Sequence, residues 1–343
     1  MYFGWRAALL TWAFTAIAAY GAEPVLLASS SSGWIDAYRL DTLEPVARLR
    51  VKPMLEGVAA DAAGERMFLR FPHPQAPEVC CALAALDERS LRLLIIQWPA
   101  MGTTLAGNRV FTQRADSGIE VLDARTLVHL RSMQAPGVYE LAPSPDGRWL
   151  FGTMLAPMAG LDVFDLARGM MVRHMGVEGA QWLRGVWTGS QFALLAPGVE
   201  GALRLWMLGE DAERLGQPRI LAAAGAKCAD AEYDIATAGS RLAVYSGVSE
   251  CSGYWLTDPA SNAAPTRLAA GLHLSRLIGS SDGKWLYGVE MPDPPAREPR
   301  LVKLDAASGD VRTSRTLTPD SWQLTLGGIP AEWLGRMDLT AFP

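Results

Sequence analysis

One phrase occurs twice in this chain, and its spacing constrains the fold more than any other feature. Residues 144–152 read SPDGRWLFG and residues 280–288 read SSDGKWLYG. Weaker copies put a turn glycine at spacings of 43, 40, 42, 50 and 44 residues, at Gly64, Gly107, Gly147, Gly189, Gly239 and Gly283. A period of about 40 to 45 residues is typical of the four-stranded blades of a β-propeller.

The residues after each glycine have the pattern of a strand that is buried on both faces. The third and fourth positions are apolar in every copy: Met67 and Phe68, Val110 and Phe111, Leu150 and Phe151, Phe192 and Ala193, Leu242 and Ala243, Leu286 and Tyr287. Adjacent residues of a strand point to opposite faces of its sheet, so both faces must be covered. Packing of each blade between two neighbours meets that condition.

A second mark counts the blades independently. An apolar strand ends in a short polar turn at Asp41, Asp87, Asp123, Asp165, Asp258 and Asp305, and Leu208–Glu210 fills the one double-length gap. The stretch Trp322–Leu326 can supply the innermost strand of the blade begun by Pro24–Leu49, which removes exposed sheet edges. The sequence therefore predicts an all-β fold: a seven-bladed β-propeller of four-stranded antiparallel blades, closed by N- and C-terminal strands that share one blade.

The N-terminus has the pattern of a secretory signal peptide, assigned to residues 1–22. Arg6 precedes the apolar run Ala7–Ala19, and Ala19–Ala22 offers small residues for cleavage. The rival interpretation, an uncleaved membrane anchor, requires about 20 apolar residues. We expect residues 23–343 to form one exported domain, periplasmic or secreted, with no membrane span after cleavage.

Charge and motifs exclude several classes of function. The chain has 31 basic and 36 acidic residues and a net charge of −5, which argues against a nucleic-acid partner. No metal-binding, phosphate-binding or dinucleotide motif occurs, so we expect no metal and no cofactor. Residues 279–283 match the GxSxG pattern, but the chain continues as a strand rather than a helix, which indicates a hairpin and not a nucleophile elbow.

Histidines and cysteines are few. The histidines, His73, His129, His174 and His273, show no triad or ligand spacing, and we assign no catalytic residue; His273 alone is placed to reach the central channel. Export makes disulfides plausible. The repeat frame puts Cys228 and Cys251 on one rim of the same blade, which favours a disulfide between them. Cys80 and Cys81 form either a vicinal disulfide or a pair of buried thiols.

The entrance of the innermost strands is the candidate binding site. Counting seven residues back from the turn glycines gives Gly57, Ala100, Glu140, Trp182, Glu232 and Arg276, with Tyr233 adjacent. Innermost strands line a propeller channel, so Glu140, Trp182, Glu232, Tyr233, Arg276 and His273 are predicted to bind a small polar ligand or a protein partner. A solvated channel lining with internal ion pairs is the alternative. Proline-rich loops at 70–81 and 292–299 belong to the same predicted face.

The repeat resembles a known family. The phrases at 142–152 and 118–126 look like the second and third strands of the bacterial YVTN-type propeller repeat, which is related in style to WD40 repeats. In length, export and repeat style the chain also resembles the large propeller chain of quinoprotein amine dehydrogenases. That resemblance implies a role in docking and channel forming, because the quinone cofactor of those enzymes sits in a separate small subunit.

Three functions therefore stand as hypotheses. The first is an exported, non-catalytic propeller that acts as a scaffold for a protein or a ligand through its loop-rich channel face. The second is the propeller subunit of a periplasmic quinoprotein amine dehydrogenase. The third is a propeller hydrolase or lactonase, which would need a metal or a base cluster in the channel.

Overall fold

A computed structural model gives the structure of most of the chain. It describes residues 22–60, 65–72, 81–97, 102–114, 118–154, 159–180, 183–197, 202–209, 211, 213–222, 233–246, 253–261, 265–268, 272, 274–280, 282–291 and 298–341. Over these residues, no helix is long and apolar enough to cross a membrane. The signal-peptide prediction lies outside them except for Ala22, where the first strand begins.

The described strands form seven sheets. The first blade contains β1 (Ala22–Ser30), β2 (Trp34–Arg39) and β3 (Pro45–Arg50). The second contains β4 (Gly57–Ala60), β5 (Arg66–Phe71), β6 (Ala82–Asp87) and β7 (Arg92–Gln97). The third contains β8 (Gly102–Ala106), β9 (Arg109–Gln113), β10 (Gly118–Asp123) and β11 (His129–Gln134). The fourth contains β12 (Val138–Pro143), β13 (Trp149–Met154), β14 (Gly160–Asp165) and β15 (Met170–Gly176).

Three further blades follow the same order. The fifth contains β16 (Arg184–Thr188), β17 (Gln191–Pro197), β18 (Leu203–Gly209) and β19 (Arg219–Ala222). The sixth contains β20 (Tyr233–Ala238), β21 (Arg241–Ser246), β22 (Gly253–Thr257) and β23 (Thr266–Leu268). The seventh contains β24 (Leu274–Gly279), β25 (Trp285–Glu290), β26 (Arg300–Asp305) and β27 (Val311–Thr316).

The C-terminal segment completes the first blade. Strand β28 (Ser321–Pro330) pairs antiparallel with β1, as predicted for Trp322–Leu326. A 3-10 turn (Ala331–Trp333) then leads to β29 (Arg336–Thr340), which pairs in parallel with β3. The predicted fold class, a seven-bladed β-propeller with N- and C-terminal strands in one blade, is confirmed. The fifth strand β29 is an addition that the sequence pattern did not predict.

The strands group into two compact units, each with its own apolar packing. The first holds residues 1–100, 124–127 and 317–343, and the second holds 101–123 and 128–316. In the first unit, Leu27, Leu49 and Leu69 are buried together with Trp333, whose indole Nε1 donates to the Glu88 carbonyl over 3.0 Å. In the second unit, the second and third strands supply the core, and every residue of β13 and β14 is buried.

The repeated phrase forms a hairpin that its own side chains stabilise. The Ser144 hydroxyl accepts the Trp149 amide over 2.8 Å, and Asp146 Oδ1 accepts the Arg148 amide over 3.0 Å. The same bonds recur in the seventh blade, where Ser280 Oγ accepts the Trp285 amide over 2.9 Å. The glycine between them has a φ of 70° in the fourth blade, which favours glycine. Ser280 is therefore a turn residue, in agreement with the sequence prediction.

Buried acids on third strands pair with the fourth strand in three blades. Asp36, Glu120 and Asp162 lie directly opposite Arg48, Ser132 and His174, respectively. Because a buried charge needs a partner, each such pair compensates its acid across the sheet. Burial would raise the pKa of Glu120, but hydrogen bonds from Ser132, Arg114 and His129 lower it. We call each pair of a third-strand acid and its fourth-strand partner an acid rung.

The first prediction concerns packing in the fifth blade. A Cβ built on Gly185 overlaps the ring of Phe192, which is fully buried with its centroid 4.6 Å from that of Phe151. We expect Gly185→Ala to reduce the free energy of unfolding by about 1–3 kcal/mol because the ring cannot yield. Chemical denaturation measures this loss. Gly176→Ala is the matched control, since its Cβ meets nothing within 4 Å; an equal loss in both variants would contradict the packing.

Candidate functional site

The innermost strands carry the candidate site, and their true register differs from simple glycine counting. First strands of blades three to seven adjoin one another in chain order. In the fifth blade the hairpin closes at Thr188 and Gln191, whereas in the fourth it closes at Ser144 and Trp149. The glycine is the first loop residue in one case and the third in the other. Counting seven residues back from it therefore lands two residues apart in the two blades.

Aligning the strands by their hairpin ends corrects the site. The residue four positions before the last hairpin pair is Gly102, Glu140, Arg184, Asp234 and Arg276 in blades three to seven. Glu140 and Arg276 were predicted from the sequence. Arg184 and Asp234 occupy the equivalent positions in the fifth and sixth blades, where counting from the glycine gives Trp182 and Glu232. We call Glu140, Arg184, Asp234 and Arg276 the charge row.

The charge row alternates in sign along four adjacent strands. Glu140 on β12 forms an ion pair with Arg184 on β16, and their side chains are 32% and 24% exposed. Arg184 and Arg276 both interact electrostatically with Asp234 on β20. All four residues are partly exposed, whereas most described residues of the neighbouring second strands are buried. Each of the two inner members of the row is therefore shared between two residues of opposite charge.

Asp234 is the most constrained member of the row. Its Oδ1 accepts the Ile235 amide over 3.0 Å, and its Oδ2 accepts the Leu277 amide on β24 over 2.8 Å. Desolvation raises the pKa of the carboxyl group, although Arg276, Arg184 and the two amides oppose the shift. The second of these hydrogen bonds ties the first strands of the sixth and seventh blades together.

Several predicted site residues lie outside the described residues: Trp182, Glu232, His273, Cys80, Cys228 and Cys251. Tyr233 begins β20, directly before Asp234. Of the cysteines, only Cys81 is described; it is fully buried and disulfide-bonded. The other three cysteines lie outside the described residues, so the pairings Cys228 with Cys251 and Cys80 with Cys81 remain predictions.

The surroundings of the row include an exposed aromatic side chain and a glycine. Tyr139, next to Glu140 on β12, exposes 45% of its surface. Gly102 takes the equivalent position in the third blade, and a Cβ there would lie 3.3 Å from the Tyr139 carbonyl oxygen. Among the residues that the structure describes, no group of three or more His, Cys, Asp or Glu side chains is placed to hold a metal ion. The described row therefore offers two acids, two guanidinium groups and an exposed phenol ring.

Comparison with known proteins shows the fold and no closer relationship. No protein-family model matches the chain, and no curated protein matches its sequence. A putative 6-phosphogluconolactonase from Bacteroides uniformis has a TM-score of 0.67 at 14% identity, covering 89% of this chain and 99% of its own. Hydrazine synthase from Kuenenia stuttgartiensis has a TM-score of 0.60 at 17% identity, covering 85% and 91%.

A third solved structure is also similar. The dihydro-heme d1 dehydrogenase NirN, in complex with DHE, has a TM-score of 0.56 at 17% identity, covering 88% of this chain and 67% of its own. At identities this low, the three matches show a common fold and nothing more. In a fold that hosts many unrelated activities, function must be argued from the site.

The second prediction concerns the pH dependence of stability at Asp234. Because the pKa of Asp234 is raised in the native state, the native carboxyl group keeps a proton that the unfolded one releases at about pH 3.9. The stability of the wild type relative to Asp234→Asn should therefore fall as the pH rises above about 4. Chemical denaturation of both proteins between about pH 3 and pH 7 measures this difference in stability.

Asp305→Asn is the control of opposite sign. The pKa of Asp305 is lowered by its hydrogen bond from Arg312 and by the Ala307 and Ser308 amides. Its contribution is present above the unfolded pKa and is lost as the pH falls through the native one. Parallel trends in the two variants would contradict the assigned environment of Asp234.

Proposed function

We propose that this protein is an exported, non-catalytic β-propeller that binds a small polar ligand or a protein partner through the face that carries the charge row. The alternation of Glu140, Arg184, Asp234 and Arg276 on adjacent first strands supports this most directly. Ion pairs in such partly desolvated positions add little to stability compared with apolar packing. Blade packing here is already supplied by apolar second and third strands.

The composition of the charge row indicates the kind of ligand. Its four charges cancel, so a ligand with a single strong charge meets repulsion from two of them. A ligand with both a carboxylate and an ammonium group can instead contact an arginine and an acid in the same row. Tyr139, the neighbour of Glu140 in sequence, exposes a ring that can contact an alkyl or cationic group. We therefore propose a zwitterionic small molecule, or a protein segment with neighbouring opposite charges.

The third prediction tests this site with defined probes. Glutamate, γ-aminobutyrate and glycine betaine serve as balanced probes, and succinate serves as the unbalanced one. Isothermal titration should show binding of at least one balanced probe, and Glu140→Gln and Arg276→Gln should each weaken it about tenfold, since each removes a charge-assisted hydrogen bond. Alanine variants of Trp182 and Glu232 test the two predicted residues outside the description.

Matched controls come from an ion pair in the first blade, which belongs to the other compact unit. Arg39 and Glu23 pair over 3.2 Å with comparable exposure, at 42% and 36%. Glu23→Gln and Arg39→Gln repeat the same chemical changes and should leave binding unaltered. If all charge-row variants bind as the wild type does, or if the controls lose binding equally, the site is misplaced. Capture of a periplasmic protein that depends on the same residues would identify a protein partner.

Lactone hydrolysis is a second candidate, raised by the fold similarity to a putative 6-phosphogluconolactonase. Hydrolysis of 6-phosphogluconolactone by the purified protein, lost in Glu140→Gln, would favour it over simple binding. The subunit hypothesis has a separate test. Native mass spectrometry of the protein from its own cell envelope would reveal a small quinone-bearing subunit.

The fourth prediction concerns export and disulfides. We expect the mature chain to start near Gly21 or Ala22, because small residues there suit the signal peptidase. N-terminal sequencing of envelope material measures this. Peptide mapping without reduction should recover Cys228 joined to Cys251, with Cys80 joined to Cys81. Full-length protein in the cytoplasm, or Cys81 joined to Cys228 or Cys251, would contradict the prediction.

A further inference from the structure

A histidine backed by a buried carboxylate lies on the outer edge of the fourth blade. His174 on β15 is directly opposite Asp162 on β14, and its Nδ1 lies 2.7 Å from Asp162 Oδ1. The Asp162 side chain is only 3% exposed, whereas that of His174 is 46% exposed. With Nδ1 donating to the carboxylate, the neutral ring presents the lone pair of Nε2. A histidine that binds a metal almost always makes such a second bond.

Local sequence makes room for this ring. A Cβ built on Gly160 would lie 2.8 Å from Cε1 of His174, so only glycine leaves space for the imidazole. His174 also lines an open cleft of about 620 Å³ together with Glu178 and the neighbouring residues Gly176, Gly179 and Ala180. The turn carrying Glu178 is fixed by Arg204, whose Nη2 donates to the Glu178 carbonyl over 2.8 Å.

The other acid rungs show what a purely structural partner looks like. Asp36 is compensated by Arg48, whose Nη2 donates to it over 3.2 Å, and a guanidinium group cannot bind a metal. Glu120 is compensated by Arg114 and by His129, whose Nε2 is occupied by Glu120 and by the Ser132 hydroxyl. Among the three, only the fourth blade joins its acid through Nδ1 to an imidazole that lines a cleft.

We propose that His174 Nε2 and the Glu178 carboxylate bind a divalent transition-metal ion, with Asp162 as the residue that orients the imidazole. Imidazole and carboxylate together suit Zn²⁺, Cu²⁺ and Ni²⁺, and water completes the coordination in so open a cleft. This site is separate from the charge row, so it stands or falls independently of the proposed function.

The decisive variant is His174→Arg. In the first blade an arginine partners the equivalent acid, so this change keeps Asp162 compensated while removing the metal ligand. Zn²⁺ titration of the tag-free mature protein, followed by isothermal calorimetry, is the measurement. We expect one equivalent of Zn²⁺ to be lost in His174→Arg with the unfolding temperature nearly unchanged. Asp162→Asn should weaken the affinity for that Zn²⁺ ion roughly 10–100-fold, and Glu178→Gln should weaken it as well.

His129→Arg is the matched control, because it repeats the change on the adjacent outer strand. It should leave the Zn²⁺ stoichiometry unaltered. Broadening of the His174 ring signals by substoichiometric Cu²⁺ in the wild type gives a second readout. The proposal is overturned if the wild type binds no Zn²⁺, if His174→Arg keeps the full stoichiometry, or if His129→Arg loses the same equivalent. Binding that remains in His174→Arg belongs to other groups, such as His73 or His273.

Discussion

The antiparallel pairing of β1 with β28 is the interaction on which this architecture depends. It runs from Ala22 opposite Pro330 to Ser30 opposite Ser321, so the two ends of the chain form a single sheet. A blade completed in this way receives its first strand from the C-terminal end of the chain. The extra strand β29 then covers the outer strand β3, and the Trp333 indole anchors the intervening turn on the Glu88 carbonyl. The first blade thus needs residues separated by almost the whole chain.

The remaining blades repeat a division of labour between their strands. Second and third strands carry the apolar packing, as shown by β13 and β14, whereas β11 and β15 are mostly exposed and β8 and β16 are partly exposed. Substitutions of the exposed side chains on the fourth strands β11 and β15 therefore disturb packing less than those on the middle strands. Polar chemistry is concentrated on those two strands: the charge row lies on first strands, and the acid rungs end on fourth strands.

Much of the fold followed from sequence because its determinants are local. The serine and aspartate of the repeated phrase accept amides of their own hairpin, and aspartates such as Asp165 accept the amides of the turn after the third strand. Such contacts fix both the residue type and its spacing. Strand β29 was not predicted because its five residues, RMDLT, lack the repeat pattern. They pair with β3, a strand about 290 residues away in sequence.

The site was predicted only in part, for a reason that lies in the hairpins. Turns with two loop residues and turns with four place the glycine differently relative to the strand end, which shifts a count from the glycine by two. Glu140 and Arg276 lie on strands that lead into four-residue turns, and the count found them. Arg184 and Asp234 lie on strands that lead into two-residue turns, and the count gave Trp182 and Glu232 instead. A count from the predicted strand end, not from the glycine, would have found all four.

Charge compensation at both polar locations follows one rule with different consequences. At the charge row, each acid has an arginine on an adjacent first strand, so compensation joins neighbouring blades and leaves all the charges partly exposed. In an acid rung, the partner lies across the same sheet, so one blade satisfies itself. Compensation between blades makes a surface to which several blades contribute at once, which is what recognition of a ligand with opposite charges requires. When compensation lies within one blade, the fourth-strand partner of the acid can change without altering the neighbouring blades. A histidine in place of an arginine at that position is then enough to add a metal ligand.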